Sequence, residues 1–599
     1  MKTTRIIILL LATLASISVN ASKAVRFFRD ITLNDGRIVS ATLVGDENLH
    51  FYRSRSGEII LYNSEGDYYY AASKEQIDSL NAIADEQQQE SENRARTLRS
   101  SVTATTTTNG HLSGYKLFPS KGSPKVLVLM VEFSDVSFTY GQEDFEKFLN
   151  STEMTTDITR PYTDDKGKIR NVIAKNPGSV AQYFRACSGG DFSPQFDIYG
   201  TFKVNNTAKY YSSNENAFIR DACAAAEGTV DFEDYDQDGD GNVDLVYIIY
   251  AGYGGAWGVE NVIWPKVKYI NGGSFCTVDG MIVHRAGMSN ELNFSPTYTR
   301  GFNNEPQLAG IGVFAHEFCH AMGITDLYAT SSHESSWGDY NYDNQSMEDW
   351  SLMDGGENRL NSCLPTPLNA FERYLFGWID DIQELTDSQT VTLTPLKDGG
   401  QAYKISGNNA NEYWILEAIP ADNEWYMNFV DVTGNGMLVT HVNTTLSKFS
   451  IGSYPNAQKG NPGITIVPAD GRLIGFHNWS ESVESFDESL LGDPFPGSQG
   501  VTKLTNYWAK DGTINKPIYN IVQNADYSID FTFRYLRGDA NGDGEVNMSD
   551  ANSITNYILN RPDASFKEIA ADADEDGKIN MSDVMYIVNY ALNGQFPKE

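Results

Sequence analysis

His316-Glu317-Phe318-Cys319-His320 decides how the middle of this chain is read. On a helix the two histidines share one face a turn apart, so both imidazoles reach a single metal ion. Glu317 stands beside them, placed to take a proton from a water that the metal activates. Ile311, Val313, Phe314 and Phe318 supply the apolar contacts of a packed helix, and Gly323 supplies its stop. Two histidines do not complete a catalytic zinc site, which takes three protein ligands and leaves a position for water. Asp326 falls just past the Gly323 turn, where H-E-x-x-H-x-x-G-x-x-H sequences carry their third ligand. Met353, within Trp350-Ser-Leu-Met353-Asp354-Gly355-Gly356, then reads as the methionine of a tight turn beneath the metal. No oxyanion donor stands out; Tyr328, His333 and Tyr340 are each more easily read as structural.

Working outward, Val126 to Phe133 and Leu245 to Tyr250 are near-continuous apolar runs, as expected of strands buried on both faces. With helical stretches between them, residues 111–384 read as one α/β domain with a metzincin-like zinc site. In 385–535 the pattern changes to strands alone, among them Tyr413 to Leu416, Met437 to Val442 and the alternating Ile529, Phe531, Phe533, Tyr535. That predicts an all-β, sandwich-like domain.

Two kinds of acidic loop follow the spacing of calcium sites. Asp236, Asp238, Asp240 and Asp244 stand at positions 1, 3, 5 and 9 of such a loop, with Gly241 at its sharp turn. Position 12 is Tyr247 in the next strand, so no helix–loop–helix hand forms and calcium would be structural. In 536–599 the set Asp539, Asn541, Asp543, Asn547, Asp550 recurs as Asp572, Asp574, Asp576, Asn580, Asp583, each copy followed by an apolar helical stretch. Those residues place oxygens at positions 1, 3, 5, 9 and 12 of two calcium loops, giving a small α-helical calcium-loop domain.

The N-terminus reads as an export signal over residues 1–21: Lys2 and Arg5 precede the apolar stretch Ile6 to Ala15, and Val19-Asn20-Ala21 supplies small residues for cleavage. Residues 22–110 then divide into short alternating strands between Phe27 and Ala72, a helix opened by the capping box Ser73 to Gln76, and a Gln-, Glu-, Ser- and Thr-rich stretch. A small module ahead of an exposed linker bearing Arg94, Arg96 and Arg99 predicts a propeptide cut near those arginines. A formal net charge of −34 argues against nucleic acid, whose phosphates it would repel. No later segment is long and apolar enough to form a transmembrane anchor. The five cysteines, Cys187, Cys223, Cys276, Cys319 and Cys363, leave at least one unpaired in an oxidising compartment, and spacing assigns no pair.

The middle of the chain resembles the immune inhibitor A family of secreted bacterial metalloproteases. The resemblance rests on His316-Glu317-x-x-His320-x-x-Gly323-x-x-Asp326-Leu-Tyr328, the Met353 turn and the Asp234 to Asp244 acidic loop. Ala251 to Gly255, Ser179 to Phe184 and Phe376-Gly-Trp378 add to it. It spans residues 26 to 535 and implies a zinc endopeptidase made with an N-terminal propeptide. Cys319 departs from the glycine more usual there, and with no cysteine in the propeptide, inhibition through a zinc-bound thiolate is excluded. The tail resembles a type I dockerin, which implies calcium and a cohesin-bearing scaffold or surface protein as partner. Zn2+ and Ca2+ are thus the expected cofactors, proteins or peptides the expected substrates, and the outside of the cell the expected location. A rival reading is an inactive dockerin-bearing adhesin or binding protein on a protease fold; losing Glu317 or a ligand would favour it, and all are present. A dockerin-tethered carbohydrate-active enzyme is a third, without a paired-carboxylate signature to support it.

Overall fold

The structure is a computed structural model. It describes residues 16–596 apart from 26, 48, 83–105, 116, 156, 164–168, 174, 271–275, 295–304, 330–345, 408–409, 422–424, 426–433, 446–448, 458–460, 473–488 and 506–515. The apolar stretch Ile6 to Ala15, the three linker arginines, His333 and Tyr340 lie outside the described residues.

The two apolar runs become neighbouring parallel strands, Lys125–Glu132 and Val246–Tyr253. Gln195–Lys203 and Arg285–Asn293 flank them, also parallel. Lys266–Ile270 then closes one side antiparallel, and Ser16–Ala21 pairs antiparallel outside it. The continuous hydrophobic reading has a simple cause: alternate side chains enter two cores. Val126, Val128 and Met130 face the core that holds the motif helix. Leu127, Leu129 and Val131 face the helix Glu215–Ala226. Both faces are covered, so neither set of positions can be polar.

The N-terminal module is a five-stranded antiparallel sheet in sequence order, from Phe28–Thr32 to Tyr68–Ala71. The Ser73 capping box forms as read, Gln76 N–H donating to Ser73 Oγ and Ser73 N–H to Gln76 Oε1. The module does not stand apart. Ala24, Leu43, Tyr52 and Ile60 share a core with Trp264, and Val44, Phe51 and Ile59 pack on Tyr328.

Between 383 and 533 two sheets face one another. Trp414, Leu416, Met437 and Val439 of the larger meet Val391, Ile518, Phe531 and Phe533 of the three-stranded one. Its strands are antiparallel except Gln383–Glu384, which runs parallel to Tyr403–Ser406. The other face of the larger sheet, with Ile415, Leu438, Val442 and Ile464, belongs to the same core as the motif helix. The β region therefore helps to bury the metal helix as well as following it in sequence. In the tail the helices Met548–Ile558 and Met581–Asn593 pack through Ala551, Ile554, Val584 and Ile587.

All five cysteines are buried thiols. Cys223 and Cys276 share a thiol hydrogen bond. They come from the Glu215–Ala226 helix and a strand far along the chain, a proximity that spacing cannot reveal.

Candidate metal centre

The motif helix runs Ile311–Met322, and every residue on it is buried. Its N-terminus is held very close to the chain that follows the metal site. A Cβ on Gly312 would lie 2.0 Å from the Glu357 carbonyl oxygen, so only glycine fits. At the other end Gly323 adopts φ 117°, donates to the carbonyls of Cys319 and His320, and turns the chain back.

That turn brings Asp326 to the two histidines. His316 Nε2 is 3.1 Å from Asp326 Oδ1, His320 Nε2 is 3.3 Å from it, and the two Nε2 atoms are 3.1 Å apart. His316 Nδ1 donates to the Leu352 carbonyl at 2.8 Å and His320 Nδ1 to the Ile324 carbonyl at 2.9 Å. With the proton on Nδ1, each Nε2 presents a lone pair. Three lone pairs thus converge in a buried place, which is unfavourable unless a cation lies between them. A tetrahedral ion with bonds of about 2.0–2.1 Å sets its ligand atoms about 3.3 Å apart. The donor set and its spacing fit zinc.

The Met353 loop serves as scaffold. Leu352 supplies the carbonyl that orients His316, and Met353 O accepts from Leu327 N–H at 2.8 Å, next to Asp326. Glu372 secures the loop from below, accepting from Ser351 Oγ at 2.5 Å and Met353 N–H at 3.3 Å. Burial pushes the Glu372 carboxyl up to about 7. Tyr328, weighed above for the oxyanion, lies fully buried against the N-terminal module.

Several residues at the centre had no local signal. Glu357 sits 3.8 Å from His316 Nδ1, and burial first, then the surrounding charges, sets its carboxyl at about 8. Ser22 and Lys23 come from the other end of the chain. Ser22 N–H and Oγ both donate to Glu317 Oε1 at 2.8 Å, and Lys23 N–H donates to Glu357 Oε1 at 3.0 Å. The proposed general base is therefore capped by the chain's own N-terminal segment. Only Asp354, inside the quoted Trp350 to Gly356 stretch, lay in a segment already singled out.

The calcium expectations divide. Asp236, Asp238 and Asp244 converge, but Asp240 does not join them; its Oδ1 accepts from Asn242 N–H at 2.9 Å and Asn242 Nδ2 at 2.6 Å. A short side chain facing its own turn satisfies the local backbone with one oxygen, as Asp576 does through the Lys578 N–H while converging with Asp572 and Asp574, so Asp240 keeps a second oxygen and stays a candidate ligand. In the tail Asp572, Asp574 and Asp576 converge. The two loops share one network: Asp550 accepts from the N–H groups of Asn541 and Asn547, and Asp583 from those of Asp574 and Asn580. Asn547 and Asn580 cap the helices that follow. Asp539 accepts from Gly542, Asp543 and Gly544, while Asp543 and Asp576 receive the N–H groups two residues on.

A buried His, His, Asp set with a glutamate beside it is a group that could hold a metal ion, and comparison with known proteins points the same way. Residues 116–372 match the immune inhibitor A peptidase M6 catalytic domain, and residues 537–592 match the dockerin type I domain. The chain carries both domains. It is similar to the pre-pro-metalloprotease PrtV of Vibrio cholerae serotype O1, 26% identical over 290 residues, covering 42% of this chain and 29% of that protein. It is also similar to immune inhibitor A of Bacillus thuringiensis subsp. alesti, 25% identical over 305 residues, covering 42% of this chain and 39% of that one. The chain thus matches less than two fifths of the length of these relatives. Among the described residues, no helix is long and apolar enough to cross a membrane.

Proposed function

We propose that this chain is a secreted zinc-dependent endopeptidase, made as a precursor and tethered through a calcium-dependent dockerin to a cohesin-bearing scaffold or surface protein. The observation that carries the peptidase reading is the convergence of His316 Nε2, His320 Nε2 and Asp326 Oδ1 beside Glu317. Zinc held there would polarise a scissile carbonyl and lower the pKa of water toward neutrality. Glu317 takes the water proton and returns it to the leaving amine. Leu352 and Ile324 keep the two imidazoles in the tautomer that presents Nε2. Residues 22–110 act as propeptide and linker: with Ser22 on Glu317, a substrate cannot reach the base until that segment leaves. Calcium in the tail loops would set the dockerin helices in place.

The test is casein digestion by protein freed of its N-terminal module by limited proteolysis in the 94–99 region, with metal content measured on the same samples. Glu317→Ala should remove activity while zinc stays bound. Activity within tenfold of the unsubstituted protein would take Glu317 out of the mechanism and return weight to the binding-protein reading.

A further inference from the structure

The segment that caps Glu317 is held as a peptide would be held. Before it, Ser16–Ala21 lies antiparallel beside the strand Lys266–Ile270. Ser22 O accepts from Trp264 Nε1 at 2.6 Å, its N–H goes to Glu317, the Lys23 N–H goes to Glu357, and the Val25 N–H goes to the Ala256 carbonyl at 2.9 Å. Ser22 N thus occupies the place of a leaving amine next to the acid–base carboxylate, and Lys23 is the second residue past the bond that would be cut.

The Lys23 side chain is only 5% exposed. Its ammonium lies 2.8 Å from Asp354 Oδ1, 3.7 Å from Glu348 Oε2 and 5.7 Å from the Tyr328 ring centroid. Burial lowers the affinity of that ammonium for its proton, but Asp354 and Glu348 outweigh burial and raise it. The pocket is built to hold a charge: Asp354 is fixed by the N–H groups of Met347, Glu348 and Gly355. Among the described residues, the other charged groups acting on the pocket include Asp349 and Glu357, Asp493 on Glu348, and Asp46, Glu47 and Asp326 on Tyr328, all acidic, with Arg359 interacting with Asp349. Two carboxylates facing a buried space are costly without a cation, and departure of the N-terminal segment takes this one away.

We infer that the Asp354–Glu348–Tyr328 pocket is a specificity pocket for a basic side chain, so that the enzyme selects substrates with Lys or Arg two residues past the cut bond. This inference rests on the peptidase reading of the same centre. The loop that forms the pocket also carries Leu352 and Met353, so its position relative to the metal ligands is fixed. An ammonium and a guanidinium both satisfy the carboxylates; an apolar side chain brings them no positive charge, and an acidic one repels them.

The experiment uses the chain freed of its N-terminal module and quenched-fluorescence peptides that differ only at this position: Lys, Arg, Leu or Glu, with the cut bond assigned by mass spectrometry. Lys and Arg peptides should show at least tenfold higher kcat/KM than the Leu peptide, and Glu348→Gln should reduce that ratio severalfold, mainly through KM. Equal or better cleavage of the Leu or Glu peptide overturns the pocket assignment while leaving the peptidase reading intact. A second arm measures binding of labelled Ser-Lys-Ala-Val and Ser-Leu-Ala-Val peptides to the Glu317→Ala protein, likewise freed of its N-terminal module, by fluorescence anisotropy. Preference for the Lys peptide there supports the pocket even if no peptide is cleaved, an outcome that would sink the peptidase reading alone. Equal binding of the two peptides overturns the pocket.

Discussion

Replacing Glu215 with Gln tests whether a buried ion triad holds one side of the catalytic sheet. Glu215 opens the helix Glu215–Ala226, and its carboxylate lies 2.7 Å from Lys266 Nζ and 2.6 Å from Lys268 Nζ on the strand Lys266–Ile270. The three side chains are 12%, 6% and 9% exposed. Burial pushes the Glu215 carboxyl up, but the two ammonium groups together outweigh it and hold it at about 2, against an ordinary 4.5. That lowering corresponds to about 3 kcal/mol. Because the folded value lies below the unfolded one, this stabilisation is fully present above pH 4.5 and is lost as pH falls through the folded value of about 2. Glu215→Gln should therefore cost about 3 kcal/mol at pH 7, where two buried lysines are left without their carboxylate. The difference between the two proteins should shrink to about half near pH 3. The assay is urea unfolding of both full-length proteins from pH 7 to pH 3, with calorimetry alongside. For a domain of this size about 3 kcal/mol moves the catalytic-domain transition by about 6–12 °C. A loss below about 1 kcal/mol at pH 7, or one of constant size across the pH range, would refute the reasoning.

Asp326→Ala removes one of three converging donors, and the protein should lose both zinc and activity; full zinc occupancy at neutral pH would mean that another oxygen completes the set. Gly312→Ala adds a Cβ only 2.0 Å from the Glu357 carbonyl oxygen. Alanine's helix preference of about 1 kcal/mol should be outweighed by overpacking, giving a lower Tm and displaced Glu357; an unchanged or raised Tm would show that the contact relaxes freely. Asp539→Ala with Asp572→Ala should abolish calcium protection of the tail against limited proteolysis in the full-length protein while peptidase activity survives. If calcium gives the unsubstituted tail no protection, the calcium reading of both loops fails.

Much of the centre was legible locally. His316, Glu317 and His320 share a helix face by periodicity, Gly323 is demanded by a left-handed turn, and Asp326 follows from the length of that turn. The tail loops were equally readable, because each calcium-type oxygen set lies within twelve consecutive residues and Asn547 and Asn580 double as helix caps. The alternation of Leu127 and Val128 between two cores fixed the central strands as doubly covered. These features depend on contacts between near neighbours, which periodicity and turn chemistry encode directly.

What the sequence by itself did not determine depends on contacts between residues hundreds of positions apart. Nothing near Ser22 or Lys23 signals that they reach Glu317 and Asp354. Nothing near Glu357 in the sequence signals that it lies 3.8 Å from His316 Nδ1. Asp240 has the spacing of a ligand, and only the structure shows one of its oxygens meeting its own turn. The β region looked separate because strand patterning reports only which residues are buried, and only packing shows that Leu438 and Val442 are buried against the metal helix's core. Sequence thus determined the candidate metal ligands and the repeated loops, where a few bonds along the chain fix geometry. Tertiary structure decided what covers the base and what charge lines the pocket beside it, because burial of those groups depends on which distant surfaces close over them.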